Sequence, residues 1–247
     1  MNTIKKNALY LRLPYIKENY ESIIKEAEIN EYTIEEFLSN LLQSEADMRF
    51  ENGVNTKIRL AKFTRKLYLE NYEIDGYNSS QRKLIKELIS LDFISNKENV
   101  ILFGNPGVGK THLATGLGLK ACLTNKSVLF ISTPNLMIEI KEQMNLNQLT
   151  RYKKRFEKYD LVILDEMGYV SFEKDVSEIL FNLLSNRIQK GSTIITTNLT
   201  FDRWEEVFKD PVLTTAIIDR MAHKSHIIDL SGKSYRAQET LKWLEDK

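Results

Sequence analysis

The residues Gly104-Asn105-Pro106-Gly107-Val108-Gly109-Lys110-Thr111 fit the pattern GxxxxGK[ST], and their types point to one chemistry. Glycines let a chain curl until successive N–H groups point inward at phosphate oxygens, and a helix starting behind them adds partial positive charge. Lys110 would neutralise β- and γ-phosphates, and Thr111 would set its hydroxyl on Mg²⁺. Phosphoryl transfer also needs a group to hold the metal and another to aim a water. Leu161-Val162-Ile163-Leu164-Asp165-Glu166 supplies candidates, with Asp165 for the Mg²⁺ shell and Glu166 to polarise the attacking water. The run STIITTNLT ends in Thr196, Thr197 and Asn198. Asn198 could hold that water or the γ-phosphate, or be a turn former leaving a strand.

Such residues cooperate only if strands and helices carry them to one edge. NVILF (99–103) before the phosphate loop and KTHLATGLGLKACL after it predict a strand, a loop and a helix. Further short runs, SVLFIS (127–132), DLVILD (160–165), STIITT (192–197) and SHIIDL (225–230), alternate with helical patterns. Their Val, Ile and Leu content predicts an α/β architecture with a parallel sheet covered on both faces. Residues from about Tyr15 to Tyr72 hold helical spacing instead, in NYESIIKEAEI, TIEEFLSNLLQSEADMRF and VNTKIRLAKFTRKLYL. The turn formers of NYEIDGYNSS predict a linker, which gives a small all-helical domain over 1–75 and an α/β domain over 76–247.

The 247 residues carry 35 Lys+Arg against 34 Asp+Glu, a formal charge of +1 that excludes a uniformly basic nucleic-acid coat but not local patches. Two such patches are Lys57, Arg59, Lys62, Arg65 and Lys66, and Arg151, Lys153, Lys154 and Arg155 near Lys141. Both are candidate contacts to nucleic-acid phosphates, and a solvated helix face is the alternative use of each. The single Cys122 excludes an internal disulfide, and no apolar window is long enough to span a bilayer, so a cytoplasmic protein without membrane association is expected. His112, His223 and His226 have no clustered acids or cysteines with which to hold a metal.

GNPGVGKTHLA, LVILDEMGY, TTNL before a helix with Trp204, IIDRMAH and GKSYR occur in the order seen in AAA+ P-loop NTPases of the helicase-loader and initiator group. With LRLPYIKENYESIIKEA and RLAKFTRKLYLENYEID added, the chain resembles the IstB-like transposase helper ATPases, relatives of DnaC, over nearly its whole length. The resemblance implies a five-stranded sheet in order 5-1-4-3-2, the cofactors ATP and Mg²⁺, and ATP sites shared between subunits of a homo-oligomer. It assigns Lys110 and Thr111 to the first Walker motif, with His112 beside them, Asp165 and Glu166 to the second, and Asn198 to the first sensor. Arg220 then resembles an arginine finger, whereas the sequence alone favours a surface salt bridge with Asp219 or a neighbouring acid. Arg236 matches a second sensor, although Ser231 to Lys247 are too few for a complete lid. The implied partners are a transposase and DNA, expected to be duplex and read without sequence preference. A DnaC-like helicase loader on single-stranded DNA and an ATP-gated adaptor with little turnover are the alternatives.

Overall fold

The computed structural model describes residues 3–232, 234–235, 240 and 243–244. By internal contacts the chain divides into two units, Met1–Thr56 and Lys57–Lys247. The first holds α1 (Thr3–Tyr10), α2 (Pro14–Ile29) and most of α3 (Ile34–Leu60). Its helix ends are tied down by side chains. Thr33 and Glu36 form a reciprocal cap, Thr33 N–H donating to Glu36 Oε2 at 2.8 Å and Glu36 N–H to Thr33 Oγ1 at 3.2 Å. The Thr33 N–H and hydroxyl, each donating to Glu36 Oε2 at 2.8 Å, hold that carboxyl below its ordinary pKa. The buried Glu45 accepts the free N–H groups of Tyr15 and Ile16 at the start of α2, at 2.9 and 3.1 Å.

The second unit is an α/β layer structure. After α4 (Ser79–Ile89) and the short α5 (Asp92–Ser95) come β1 (Asn99–Phe103), α6 (Lys110–Leu123), β2 (Val128–Ser132), α7 (Thr133–Asn145) and α8 (Leu149–Glu157). Then follow β3 (Leu161–Met167), α9 (Lys174–Ser185), β4 (Ser192–Thr197), α10 (Glu205–Phe208), α11 (Pro211–Ala222) and β5 (Ser225–Asp229). The strands form one parallel sheet in the order β2-β3-β4-β1-β5, the expected order read from the opposite edge.

Side chains alternate faces along a strand, so each run feeds two cores. Val100, Leu102, Leu161 and Ile163 pack with α4 and α6, while Ile101, Val162, Leu164 and Ile195 pack with α7, α9 and α11. Both faces being covered is why the strands read as unbroken apolar runs.

Two boundaries differ from the sequence expectation. The helical reading of VNTKIRLAKFTRKLYL holds only to Leu60, and Lys62 takes a left-handed φ of 63°. Residues 61–77 pack on the sheet unit because their apolar side chains find partners there. Phe130 N–H of the edge strand β2 donates to the Ala61 carbonyl at 2.8 Å, and Phe63 lies 5.8 Å from the Phe130 ring. The expected linker is likewise packed, with Tyr72 and Tyr77 both buried. The compact-unit boundary therefore falls at Thr56 rather than at residue 75.

Candidate nucleotide-binding site

The phosphate loop joins β1 to α6, and its curl depends on left-handed backbone at Gly104 (φ 145°) and Gly109 (φ 93°). Gly109 is also crowded, since a Cβ there would meet Tyr72 Cε2 at 3.0 Å. Behind the loop, Tyr72 and Tyr77 pair through their hydroxyls at 2.8 Å, and Tyr77 Oη donates to the Val108 carbonyl at 2.7 Å. Burial pushes both phenols above their ordinary pKa, so they stay protonated donors. Lys110 Nζ donates to the Gly104 and Asn105 carbonyls at 2.6 and 2.9 Å, which parks the ammonium inside the loop.

Helix α6 and strand β3 bring the oxygen ligands. Thr111 Oγ1 donates to Asp165 Oδ1 at 2.9 Å and approaches Oδ2 at 3.2 Å. Asp165 is buried at the end of β3, and its backbone carbonyl accepts from Thr133 Oγ1 at 2.9 Å. A hydroxyl beside a carboxylate is a hard-oxygen pair of the kind Mg²⁺ prefers, so these residues fit that ion. The register of β3 on β4 breaks here, Leu164 facing Ile195 and Met167 facing Thr197, so that Asp165 and Glu166 together oppose Thr196. This is a β-bulge, and it re-aims side chains next to a site. Glu166 is exposed with a left-handed φ of 63°, a conformation that costs a non-glycine residue about 1–3 kcal/mol.

These residues border a cleft of about 680 Å³ lined by Pro106, Gly107, Lys110, Thr111, His112, Asp165 and Glu166 among others. His112 is held there by the Tyr68 carbonyl, 2.9 Å from Nε2, and lies edge-on to Tyr72. Val108 instead faces the core. Asn198 follows β4, and its Oδ1 is buried without a hydrogen-bond partner among the described residues. Arg220, on α11, lies outside this cleft and stacks 4.2 Å from the centre of the Phe181 ring. Arg236 lies outside the described residues.

Sequence reasoning missed part of the lining. Thr64, Arg65 and Leu67 reach the cleft from the packed segment after α3, and Tyr169, Thr196, Thr197 and Tyr235 complete it. The sequence groups Arg65 with the candidate nucleic-acid contacts, and no local signal separates it from Lys66.

The other cations sort by partner. Lys62 pairs with Glu139 at 2.6 Å and Lys141 with Glu173 at 2.8 Å, while Lys57 donates to the backbone and side-chain oxygens of Asn125. On α8, Tyr152 and Phe156 are buried one turn apart, which turns Arg151, Lys154 and Arg155 outward and leaves Lys153 half-buried. Arg59 and Lys66 are exposed.

The family model described as IstB-like ATP binding protein matches residues 6–242. The chain belongs to that family. A relative from Pseudomonas aeruginosa, named for ATP binding and for insertion sequence IS21, is 36% identical over 232 residues, covering 94% of this chain and 88% of the relative. One from Bacillus thuringiensis subsp. berliner, named for ATP binding and insertion sequence IS232, is 33% identical, covering 94% and 93%. Among solved structures, DnaI aligns with a TM-score of 0.59 at 19% identity over 72% of this chain and 98% of that one. AMPPCP-bound DnaA from Aquifex aeolicus gives 0.60 at 17% identity over 75% and 56%. At such identities the likeness establishes the fold alone, an α/β domain around a five-stranded parallel sheet. Among the described residues no helix of this IstB-family protein is long and apolar enough to cross a membrane.

Proposed function

We propose that the protein hydrolyses ATP and binds DNA as the helper of an insertion-sequence transposase, assembling with ATP between its copies. The observation that carries the hydrolysis reading is the meeting of Lys110, Thr111, Asp165 and Glu166 at one cleft. The Lys110 ammonium exchanges its loop carbonyls for β- and γ-phosphate oxygens, a charge-assisted contact stronger than the one it leaves. Thr111 and Asp165 would hold Mg²⁺, which supplies charge neutralisation at the phosphates. Glu166 accepts a proton from the attacking water. Asn198 Oδ1, a buried acceptor without a donor among the described residues, supports a second contact to that water. Arg220, outside its own cleft, is free to serve the γ-phosphate of a neighbouring copy. The outward cations of α8 support contact with backbone phosphates, which carry no sequence information. The names of the relatives support the transposition setting.

Glu166→Gln tests the reading directly. It is expected to keep ATP affinity while lowering hydrolysis about 10²- to 10⁴-fold, the range for a general base. Particle mass measured with duplex and with single-stranded DNA tests the partner, assembly on duplex being expected. Wild-type turnover in the variant, or assembly on single strands alone, would overturn the corresponding half.

A further inference from the structure

Thr196 is 1% exposed, at the point where one residue of β4 faces two of β3. Its single hydroxyl proton goes to Asp165 Oδ1 at 2.6 Å, and its oxygen accepts the Glu166 N–H at 3.0 Å. One side chain therefore touches the carboxylate beside Thr111 and the backbone of the residue that aims the exposed acid. The arrangement fixes the hydroxyl's sense, because an ionised carboxylate can only accept and an amide N–H can only donate.

The consequences run in two directions. Asp165 Oδ1 is held from two sides, by Thr111 and Thr196, leaving Oδ2 with only the longer Thr111 contact among the described residues. Glu166, with its left-handed φ of 63°, donates its N–H to the Thr196 hydroxyl instead of to a β4 carbonyl. Removing the hydroxyl would strand that amide and release the strain, letting the bulge relax toward regular pairing.

We propose that Thr196 is a positioning residue, which orients the Asp165 carboxylate for a divalent cation and holds the Glu166 backbone in the conformation that directs its side chain at the attacking water. The inference rests on the hydrolytic reading above for Glu166, but its cation arm stands on Thr111 and Asp165 alone.

The experiment compares wild type, Thr196→Val, Thr196→Ala and Thr196→Ser in the full chain. It measures steady-state hydrolysis, the Mg²⁺ dependence of binding of a fluorescent non-hydrolysable ATP analogue, and thermal unfolding. Both hydroxyl-free variants should lose about 10- to 100-fold in kcat, the usual cost of an outer-shell partner, with KM for ATP nearly unchanged. Both should also need more Mg²⁺ for half-maximal analogue binding, and Thr196→Ser should restore both properties. In a Glu166→Gln background at saturating Mg²⁺, Thr196→Val should cause a smaller further loss of hydrolysis than in wild type, yet still shift the Mg²⁺ dependence.

Thr196→Val and Thr196→Ala with wild-type kcat and Mg²⁺ dependence would overturn the proposal. So would Thr196→Ser as impaired as Thr196→Val, because the hydroxyl would then not be the agent. A Glu166→Gln protein that hydrolyses normally would overturn the base assignment instead, and the Mg²⁺ dependence of the Thr196 variants would still decide the role of Thr196. If Thr196→Val fails to fold, Thr196→Ala and Thr196→Ser carry the comparison.

Discussion

The two ends of the same parallel strands are both polar, and they are built in opposite ways. At the amino ends every group named here has its partner. Asp160 accepts from Ser127 N–H and Oγ at 2.7 Å each, which outweighs burial and lowers its pKa. Asn99 Oδ1 takes the Thr193 N–H at 3.0 Å, and Ser192 Oγ donates to the Phe93 carbonyl at 3.0 Å. Arg187, 1% exposed, donates to the Phe156 and Ser192 carbonyls at 2.8 and 2.7 Å. Burial lowers its pKa to about 10, so it stays charged at neutral pH. At the carboxyl ends a lysine is parked on its own loop, an acid sits in left-handed backbone, and an asparagine oxygen has no partner among the described residues. A satisfied polar network fixes structure, whereas an exposed acid and an unpaired oxygen at the other edge leave capacity for a ligand. Left-handed backbone alone does not separate the ends, since Lys97, Asn125, Gln189 and Lys224 adopt it before β1, β2, β4 and β5.

The contrast can be broken from either side. The largest effect is expected from Arg220→Ala, which should lose about 10³- to 10⁵-fold in hydrolysis rate while keeping ATP affinity, as for an arginine acting across an interface. Mixing it with Lys110→Ala protein should recover part of the activity, because a shared site then has one intact half from each copy. No loss of rate would return Arg220 to a purely packing role on Phe181.

Arg187→Met should do the reverse at the amino ends. Stranding two buried carbonyls is expected to cost about 2–4 kcal/mol and to lower the unfolding temperature, while activity per folded molecule persists. Equal loss of activity and stability would erase the distinction between the two ends. The smallest effect is expected from Lys153→Ala, Lys154→Ala and Arg155→Ala combined. Each lost phosphate contact should flatten the slope of log affinity against log salt by about 0.9, read from DNA binding at several salt concentrations.

Much of the sheet unit was legible because its signals are local. NVILF and STIITT are β1 and β4 residue for residue, since a doubly covered strand needs an unbroken apolar run. The phosphate loop was legible for the same reason, its glycines and lysine being adjacent in the chain. The segment 61–77 was not, because its helical spacing reflects apolar residues that serve the β2 edge and α6 instead of one another. Arg65 is indistinguishable from its basic neighbours until the segment is folded against the cleft.

By itself, then, the sequence determined which chemistry is available: a phosphate cradle, two acids at a strand end and a parallel sheet to carry them. Only the tertiary structure decided how those groups meet. The bulge that sets Asp165 and Glu166 against Thr196, the tyrosine pair behind the loop and the sorting of the cations all depend on contacts between residues far apart in the chain. Spacing along one segment reports its own periodicity, and it carries no record of what the fold will lay against it.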